Sequence, residues 1–117
     1  MLVVECLVKS ETIGEGRYTY SYRMVKGSVS LNYKGETMEV QSYGIEVERQ
    51  DTLNGIITNI ERDIIKNVSP HRHKVHSLLK LLCDNSVSPI HLIDVIGESV
   101  DEYLSDFDEA LKGIATY

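Results

Sequence analysis

Hydrophobic and polar positions alternate with a period of two along the first half of the chain, which predicts β-strands. The segment 2–8 is a nearly continuous apolar run, typical of an inner strand. Turns are predicted at Gly14-Glu15-Gly16 and at Lys34-Gly35, because glycine tolerates the backbone conformations of tight turns. Four residues between these turns share one face of a strand: Tyr18, Tyr20, Tyr22 and Met24.

A β-hairpin is predicted at Asn54-Gly55, the preferred pair for a two-residue type I′ turn. Such a turn places Arg49 opposite Ile60 and Ile45 opposite Ile64. One face of the hairpin is then apolar and includes Tyr43, Ile45, Val47, Leu53, Ile56, Ile60 and Ile64. The isoleucines of 56–66 also fit helical spacing, so a helix there remains an alternative.

Beyond Val68 the apolar period changes to that of α-helices. Ser69-Pro70 and Ser88-Pro89 each predict a helix start, with serine as the N-cap and proline in the first helical position. The second helix carries a long apolar stripe: Leu92, Ile96, Val100, Tyr103, Phe107, Leu111 and Ile114. Unbroken from 89 to 113, this helix would be about 37 Å long, which exceeds the strands of a small sheet.

These patterns predict one α+β domain over residues 1–117. An antiparallel β-meander of four to five strands (1–66) is followed by two C-terminal α-helices (69–114) that cover one face of the sheet. The predicted core comprises Val4, Cys6, Ile45, Val47, Ile60, Ile64, Leu78, Leu82, Leu92, Ile96 and Val100.

Composition supports a folded protein, since 42% of the 117 residues are hydrophobic and only two are proline. The start of the chain has no basic leader, which favours a strand over a signal peptide. No segment is long and apolar enough for a membrane helix. Cys6 and Cys83 lie in apolar segments and are expected to be buried free thiols, as in a reducing cytoplasm.

The net charge of −6 is unevenly distributed. Residues 1–89 hold 11 acidic and 11 basic residues, whereas residues 90–117 hold seven acidic residues and only Lys112. This helix would repel nucleic acid and anionic membranes, and a protein with a basic surface is the better candidate partner. The predicted docking residues are Asp101, Tyr103, Asp106, Phe107, Asp108, Leu111 and Ile114. A homodimer through the apolar stripe is a second candidate, although its acidic faces would repel each other.

Metal chemistry is an alternative, because His71, His73 and His76 form a histidine cluster. On a helix His71 and His73 would point about 200° apart, so only His73 and His76 could act together. Four carboxylates on the polar face of the hairpin form a weaker cation candidate (Glu46, Glu48, Glu61 and Asp63), although Arg17 or Arg23 on the adjacent strand could balance them instead.

Two segments resemble a family of short proteins of unknown function from spore-forming Gram-positive bacteria: Tyr43-Gly44-Ile45-Glu46-Val47-Glu48 and residues 87–96, which contain Ser88-Pro89-Ile90-His91-Leu92. The resemblance covers about 43–104, and neither 1–42 nor the tail carries a recognised match. It implies a bacterial cytoplasmic protein and no particular activity.

The sequence contains no glycine-rich phosphate loop and no signature of an activated nucleophile. We therefore expect a non-enzymatic regulatory or adaptor protein without a cofactor, acting through its acidic C-terminal helix. The alternatives are a small metal-dependent enzyme or metal-binding protein, and an accessory protein of a DNA-acting complex that does not read bases itself.

Overall fold

Four strands precede three α-helices in the computed structural model, which describes residues 1–115; the last two residues of the predicted domain lie outside this range. The strands are β1 (Leu2–Ile13), β2 (Gly16–Tyr33), β3 (Glu36–Leu53) and β4 (Ile56–Ser69). They are followed by α1 (Arg72–Asp84), a 3₁₀ turn (Pro89–His91), α2 (Leu92–Glu102) and α3 (Leu104–Ala115). Consecutive strands pair antiparallel in the order β1-β2-β3-β4. The predicted α+β fold with a meander is confirmed, and 56–66 is a strand.

The turns between strands lie where the sequence predicts them. Asn54 and Gly55 have φ values of 51° and 79°, and Lys34 and Gly35 have 50° and 81°. Positive φ at both central residues is the type I′ geometry that matches the twist of a hairpin. The turn between β1 and β2 has positive φ at Gly14, which is 60°.

A bulge in β4 changes the register of the last hairpin. Leu53 lies opposite Ile56 as predicted, but a shift beyond Thr52 places Arg49 opposite Glu61 and Ile45 opposite Ile65. Because side chains alternate between faces, a one-residue shift exchanges the faces of β4. The predicted core positions Ile60 and Ile64 are therefore wrong: Ile60 is 44% exposed, and neither residue belongs to a core cluster.

The main core lies between one face of the sheet and the helices α1 and α2. Its members are Tyr20, Tyr22, Met24, Tyr43, Ile45, Val47, Val68, Val75, Leu78, Leu79, Leu82, Val87, Leu92 and Ile96. The predicted core positions on these elements are thus confirmed, and Val4 and Val100 pack against the cluster. Cys6 is exposed and Cys83 is half-buried, so the prediction of two buried thiols is wrong; both are free.

A second, smaller core lies beneath α3. Phe107 and Leu111 pack with Val40, and the partly buried members around them include Val29, Leu31, Tyr33 and Met38. Val29 lies five residues after Met24 in β2, and Val40 lies five residues before Ile45 in β3. Each pair is thus an odd number of residues apart, and the β2–β3 register has no shift between them. Strand alternation therefore places the two cores on opposite faces of the β2–β3 ribbon. The molecule is elongated, 58 × 22 × 19 Å.

At Gly44 the backbone of β4 comes very close to β3, between the part of the sheet that carries the main core and the part that carries the second core. Between the pairs Tyr43–Ser69 and Ile45–Ile65, β4 has three residues against the single Gly44. A Cβ at position 44 would lie only 2.3 Å from the backbone oxygen of Lys66. Glycine is therefore required for β4 to pass this close to β3.

The two predicted helix starts have different outcomes. Ser88 is the N-cap residue before Pro89, as predicted, although its side chain makes no capping hydrogen bond. Helix α1 instead begins after His71, two residues later than predicted. Ser69 remains in β4, where its Oγ accepts a hydrogen bond from the backbone N–H of His71 at 3.0 Å. Along residues 1–115, no helix has the length and apolar character needed to cross a membrane.

The substitution Gly44→Ala is expected to lower the free energy of unfolding by about 3 kcal/mol, because the new methyl group forces β3 and β4 apart. Gly97→Ala is the matched control. Its Cβ would meet only Ile93 Cγ2 at 3.5 Å, an ordinary contact, and replacing a helical glycine should stabilise α2 by about 0.5–1 kcal/mol. Urea unfolding measures both effects, and equal effects for the two variants would contradict the close approach of β4 to Gly44.

Candidate functional site

The C-terminal helix is interrupted at Tyr103, in the middle of the predicted docking residues. Tyr103 is the C-cap of α2, and its backbone N–H donates to the carbonyl of Ser99 at 3.0 Å. Its own carbonyl accepts from the N–H of Asp106 at 3.0 Å as α3 begins. The prediction of one helix from 89 to 113 is therefore wrong, and so is the expectation that a single stripe extends beyond the domain.

Asp106 is buried at this interruption and stabilises it. Its Oδ2 accepts from Lys74 Nζ at 2.7 Å and from Ser69 Oγ at 3.5 Å. Lys74 Nζ also lies 5.0 Å from the centre of the Tyr103 ring, within cation–π distance. The hydrogen bond to Asp106 is the main reason that the pKa of Lys74 is raised.

The position of Asp106 also reverses its interaction with the helix dipole. In a single long helix it would lie near the C-terminus, where a carboxylate is disfavoured. Because α3 begins at Leu104, Asp106 instead lies in the first turn of a helix. There the partial positive charge of the helix N-terminus stabilises it. Asp106 thus connects α1, β4 and α3.

The apolar docking residues are mostly occupied within the fold. Phe107 and Leu111 are buried against Val40, whereas Tyr103 is half-buried and packs on the main core. Ile114 is exposed at the last turn of α3. Phe107 and Leu111 are therefore unavailable to a partner unless α3 leaves the sheet.

Asp101 and Asp108 of the predicted site are exposed and belong to a larger acidic surface on α2 and α3. We call it the acidic face, and it consists of Asp94, Glu98, Asp101, Glu102, Asp108 and Glu109, all exposed. Three of these residues follow one side of α2 at helical spacing (Asp94, Glu98 and Asp101), opposite the buried Leu92 and Ile96.

Most of the acidic face has no ion-pair partner. His91 Nδ1 lies 3.6 Å from Asp94. In the described part of the chain, the other five carboxylates make no salt bridge. Asp108 is one of these five, although Lys112 follows it by four residues, a spacing that often allows an ion pair on a helix. The acidic face is thus a set of solvated, uncompensated negative charges.

The histidine cluster has a different arrangement from the one expected for a helix. His71 precedes α1, and its ring centre lies 5.8 Å from that of His73. His76 Nδ1 instead contacts Glu5 Oε1 at 2.6 Å. These residues line an open depression of about 590 Å³. Residues 1–115 contain no group of three or more side chains suited to hold a metal ion.

The four hairpin carboxylates do not form one cluster. The shifted register places Glu48 opposite Arg62 and Glu61 opposite Arg49, so that opposite charges face each other. Glu46 and Glu48 lie on the face away from α1, whereas Glu61 and Asp63 lie on the helix-covered face. The expectation that these carboxylates could bind a cation together is therefore wrong.

Glu48 is the centre of an ion-pair network and is only 5% exposed. Its carboxylate accepts hydrogen bonds from Arg62 Nε and, at 3.4 Å, from Arg23 Nη2. The other terminal nitrogen of Arg23, Nη1, lies 2.8 Å from Glu46 Oε1. Burial alone would raise the pKa of Glu48, but the bonds from Arg62 and Arg23 outweigh it and lower the pKa. The contact between Glu48 and Arg23 could be expected from strand alternation, whereas the contact between Glu48 and Arg62 exists only because of the bulge in β4.

Together these features define a small α+β protein in which the buried carboxylates are ion-paired and an acidic helical surface is exposed. The chain belongs to a family of unknown function (DUF6514), which matches residues 1–102. The match extends to the start of the chain, well beyond the segment 43–104 that carries the resemblance noted in the sequence. It ends at the last residue of α2, so α3 lies outside the matched residues. No curated protein and no solved structure matches the chain.

The substitution Asp106→Ala should increase hydrogen exchange of the α3 backbone amides by several-fold, because it removes the bonds to Lys74 and Ser69. Amides in the centre of α1 should change little. Asp108→Ala is the matched control, since it deletes an exposed carboxylate from the same helix. Equal exchange in the two variants would contradict the anchoring role of Asp106.

Glu48 should make stability depend on pH in acid. Because its pKa is lower in the folded protein than in the unfolded chain, the ionised carboxylate stabilises the fold above the unfolded value of about 4.3. This contribution is lost as the pH falls through the lower folded value. Glu48→Gln should therefore cost about 1–2 kcal/mol at pH 7, and the difference from wild type should shrink between pH 5 and 3. Glu36→Gln, at the exposed first residue of β3, should show neither effect.

Proposed function

We propose that the protein is a non-enzymatic regulatory or adaptor protein whose acidic face binds a partner protein with a basic surface. The observation that carries this proposal is the concentration of unpaired carboxylates on α2 and α3. A solvated charge surface of one sign accelerates association with an oppositely charged partner and disfavours nucleic acid and anionic lipid.

The ion pairing of the buried carboxylates supports a role in protein binding rather than in catalysis. Glu48 and Asp106 are the buried carboxylates of the described chain, and both are bonded to basic side chains. Such pairs stabilise the fold and do not leave a carboxylate poised to transfer protons. The acidic residues that remain accessible are those of the helices and the hairpin turns.

The proposal differs from a simple apolar helix docking into a groove. Phe107 and Leu111 stay packed on Val40, and the partner contacts the polar outer surface of the helices. We also propose that the protein acts in the cytoplasm of spore-forming Gram-positive bacteria. The support for this placement is the resemblance of residues 87–96 together with the two free cysteines.

Point substitutions test the proposal better than a truncation, because removal of residues 105–117 would expose Val40. Glu98→Gln/Asp101→Asn/Glu102→Gln neutralises the three carboxylates of α2 that make no salt bridge and leaves Asp94, which pairs with His91. Asp108→Asn/Glu109→Gln neutralises the α3 part. The control is Glu15→Gln/Glu36→Gln/Glu39→Gln, which changes net charge by the same three units at exposed positions near two hairpin turns. All variants should retain the wild-type unfolding temperature within a few degrees.

The measurement is quantitative affinity capture, followed by titration of the purified captured protein. We expect a protein that binds wild type and the Glu15/Glu36/Glu39 control equally and binds the acidic-face variants at least tenfold more weakly. Its affinity should fall as salt rises, because exposed charges are screened. Equal binding by all variants, or binding that is insensitive to salt, would refute the proposed surface.

A further inference from the structure

Strand β1 forms one edge of the sheet, so the prediction of an inner strand at 2–8 is wrong. It has a continuous ladder with β2 from Glu5 to Ile13. Ile13 and Gly16 close a two-residue turn, so they form a hydrogen-bonded pair, and the odd-numbered residues of β1 bond to β2. The backbone N–H and C=O groups of the even-numbered residues therefore point away from the sheet. These residues are Cys6, Val8, Ser10 and Thr12, all exposed.

The two edges of the sheet differ in how they are protected. On β4, two bulges interrupt the ladder, the Asp63 carboxylate accepts from the Ile64 N–H at 2.9 Å, and the 3₁₀ turn packs alongside. On β1, Arg72 binds the carbonyl of Val4 at the far end. From Cys6 to Thr12, no other described residue bonds to the outward backbone groups. A long edge of this kind is a template for another strand.

We propose that β1 pairs antiparallel with β1 of a second copy of this chain, about a twofold axis at Ser10. The two four-stranded sheets then form one continuous eight-stranded sheet. Val8 lies opposite Thr12 of the second copy, and three pairs of outward-facing residues supply about six backbone hydrogen bonds. A twofold interface of this type is self-complementary and closed.

Charge along β1 selects this register. The outward-pointing backbone groups of one copy must face those of the other, so the axis must pass through a residue of β1 and not between two residues. With the axis at Ser10, Lys9 lies opposite Glu11, and Leu7 lies opposite Ile13, which is 66% exposed in the single chain. Glu5 then faces Glu15, which lies in the turn beyond the end of β1 and not in the ladder. An axis at Lys9 would oppose two lysines, and an axis at Val8 would oppose Glu5 and Glu11, both of which are unfavourable. An axis at Leu7 also pairs opposite charges, Glu5 with Lys9, and must be excluded on other grounds.

Helix α1 excludes the axis at Leu7. His76 contacts Glu5, and Lys9 Nζ reaches the carbonyl of Cys83 at 3.4 Å, so α1 lies along β1 from Glu5 to Lys9. An axis at Leu7 would place the two α1 helices side by side over the same strand residues. An axis at Ser10 instead displaces them along the strands, so that each α1 lies beside the segment 11–13 of the other copy. The acidic face is on helices that pack toward β4 and remains accessible.

Cysteine cross-linking tests the axis. In a Cys6→Ser background, Ser10→Cys should form a disulfide-linked dimer under mild oxidation, because the two Cα atoms at the axis lie about 5.5 Å apart. Thr12→Cys in the same background is the control: its two copies would be separated by four residues along the strands, roughly 13 Å. Cys83 is common to both variants. Equal linkage of the two would overturn the register.

Charge exchange provides the second test, with the dimer dissociation constant measured by sedimentation equilibrium. Glu11→Lys should weaken dimerisation at least tenfold, because each new lysine faces Lys9. The double variant Lys9→Glu/Glu11→Lys should restore the wild-type constant within about threefold, while Glu39→Lys, at an exposed position of β3 away from β1, should have no effect. A wild-type chain that is monomeric up to millimolar concentration, or a double variant as weak as the single one, would overturn the proposal.

Discussion

The close passage of the Lys66 backbone over Gly44 determines how the rest of the molecule is arranged. From Asp51 to Ile45, β3 and β4 form a regular ladder, and beyond Gly44 they pair again only at Tyr43–Ser69, after which the chain leads to α1. The segments 27–33 of β2 and 36–42 of β3 consequently extend past β1 and β4 as a two-stranded ribbon. An isolated ribbon is marginally stable in water. Helix α3 provides the missing cover by packing Phe107 and Leu111 on the face that carries Val40.

Much of the fold follows from local signals in the sequence. Asn54-Gly55 and Lys34-Gly35 specify hairpin turns through their backbone preferences, and the alternation from Tyr18 to Met24 identifies the buried face of β2. The α1 and α2 positions that pack on this face follow from helical spacing. These features are predictable because each depends on residues close in sequence.

The features that were missed depend on contacts between distant residues. The β4 bulge could not be deduced, because Ile56, Ile57, Ile60, Ile64 and Ile65 provide apolar side chains for either register. Only the full sheet shows that the shift pairs Glu48 with Arg62. The interruption at Tyr103 has no proline or glycine to announce it. It depends on Lys74 and Ser69, more than 30 positions earlier, which bind Asp106. Of the residues predicted to dock a partner, Asp101 and Asp108 are exposed, whereas Phe107 and Leu111 are buried in the fold and Asp106 is ion-paired with Lys74.

The meander also has a consequence for the order in which the chain acquires structure. Every strand pairs with its neighbour in sequence, so loop closure is inexpensive and the sheet can zip from its three turns. Helix α3 follows the strands and α1 in the chain, and until it docks, the apolar ribbon surface around Val40 and Leu31 is open to water. Docking of α3 thus closes an apolar surface on an already formed sheet, and any delay in synthesis before α3 prolongs the interval in which the nascent chain needs protection from aggregation.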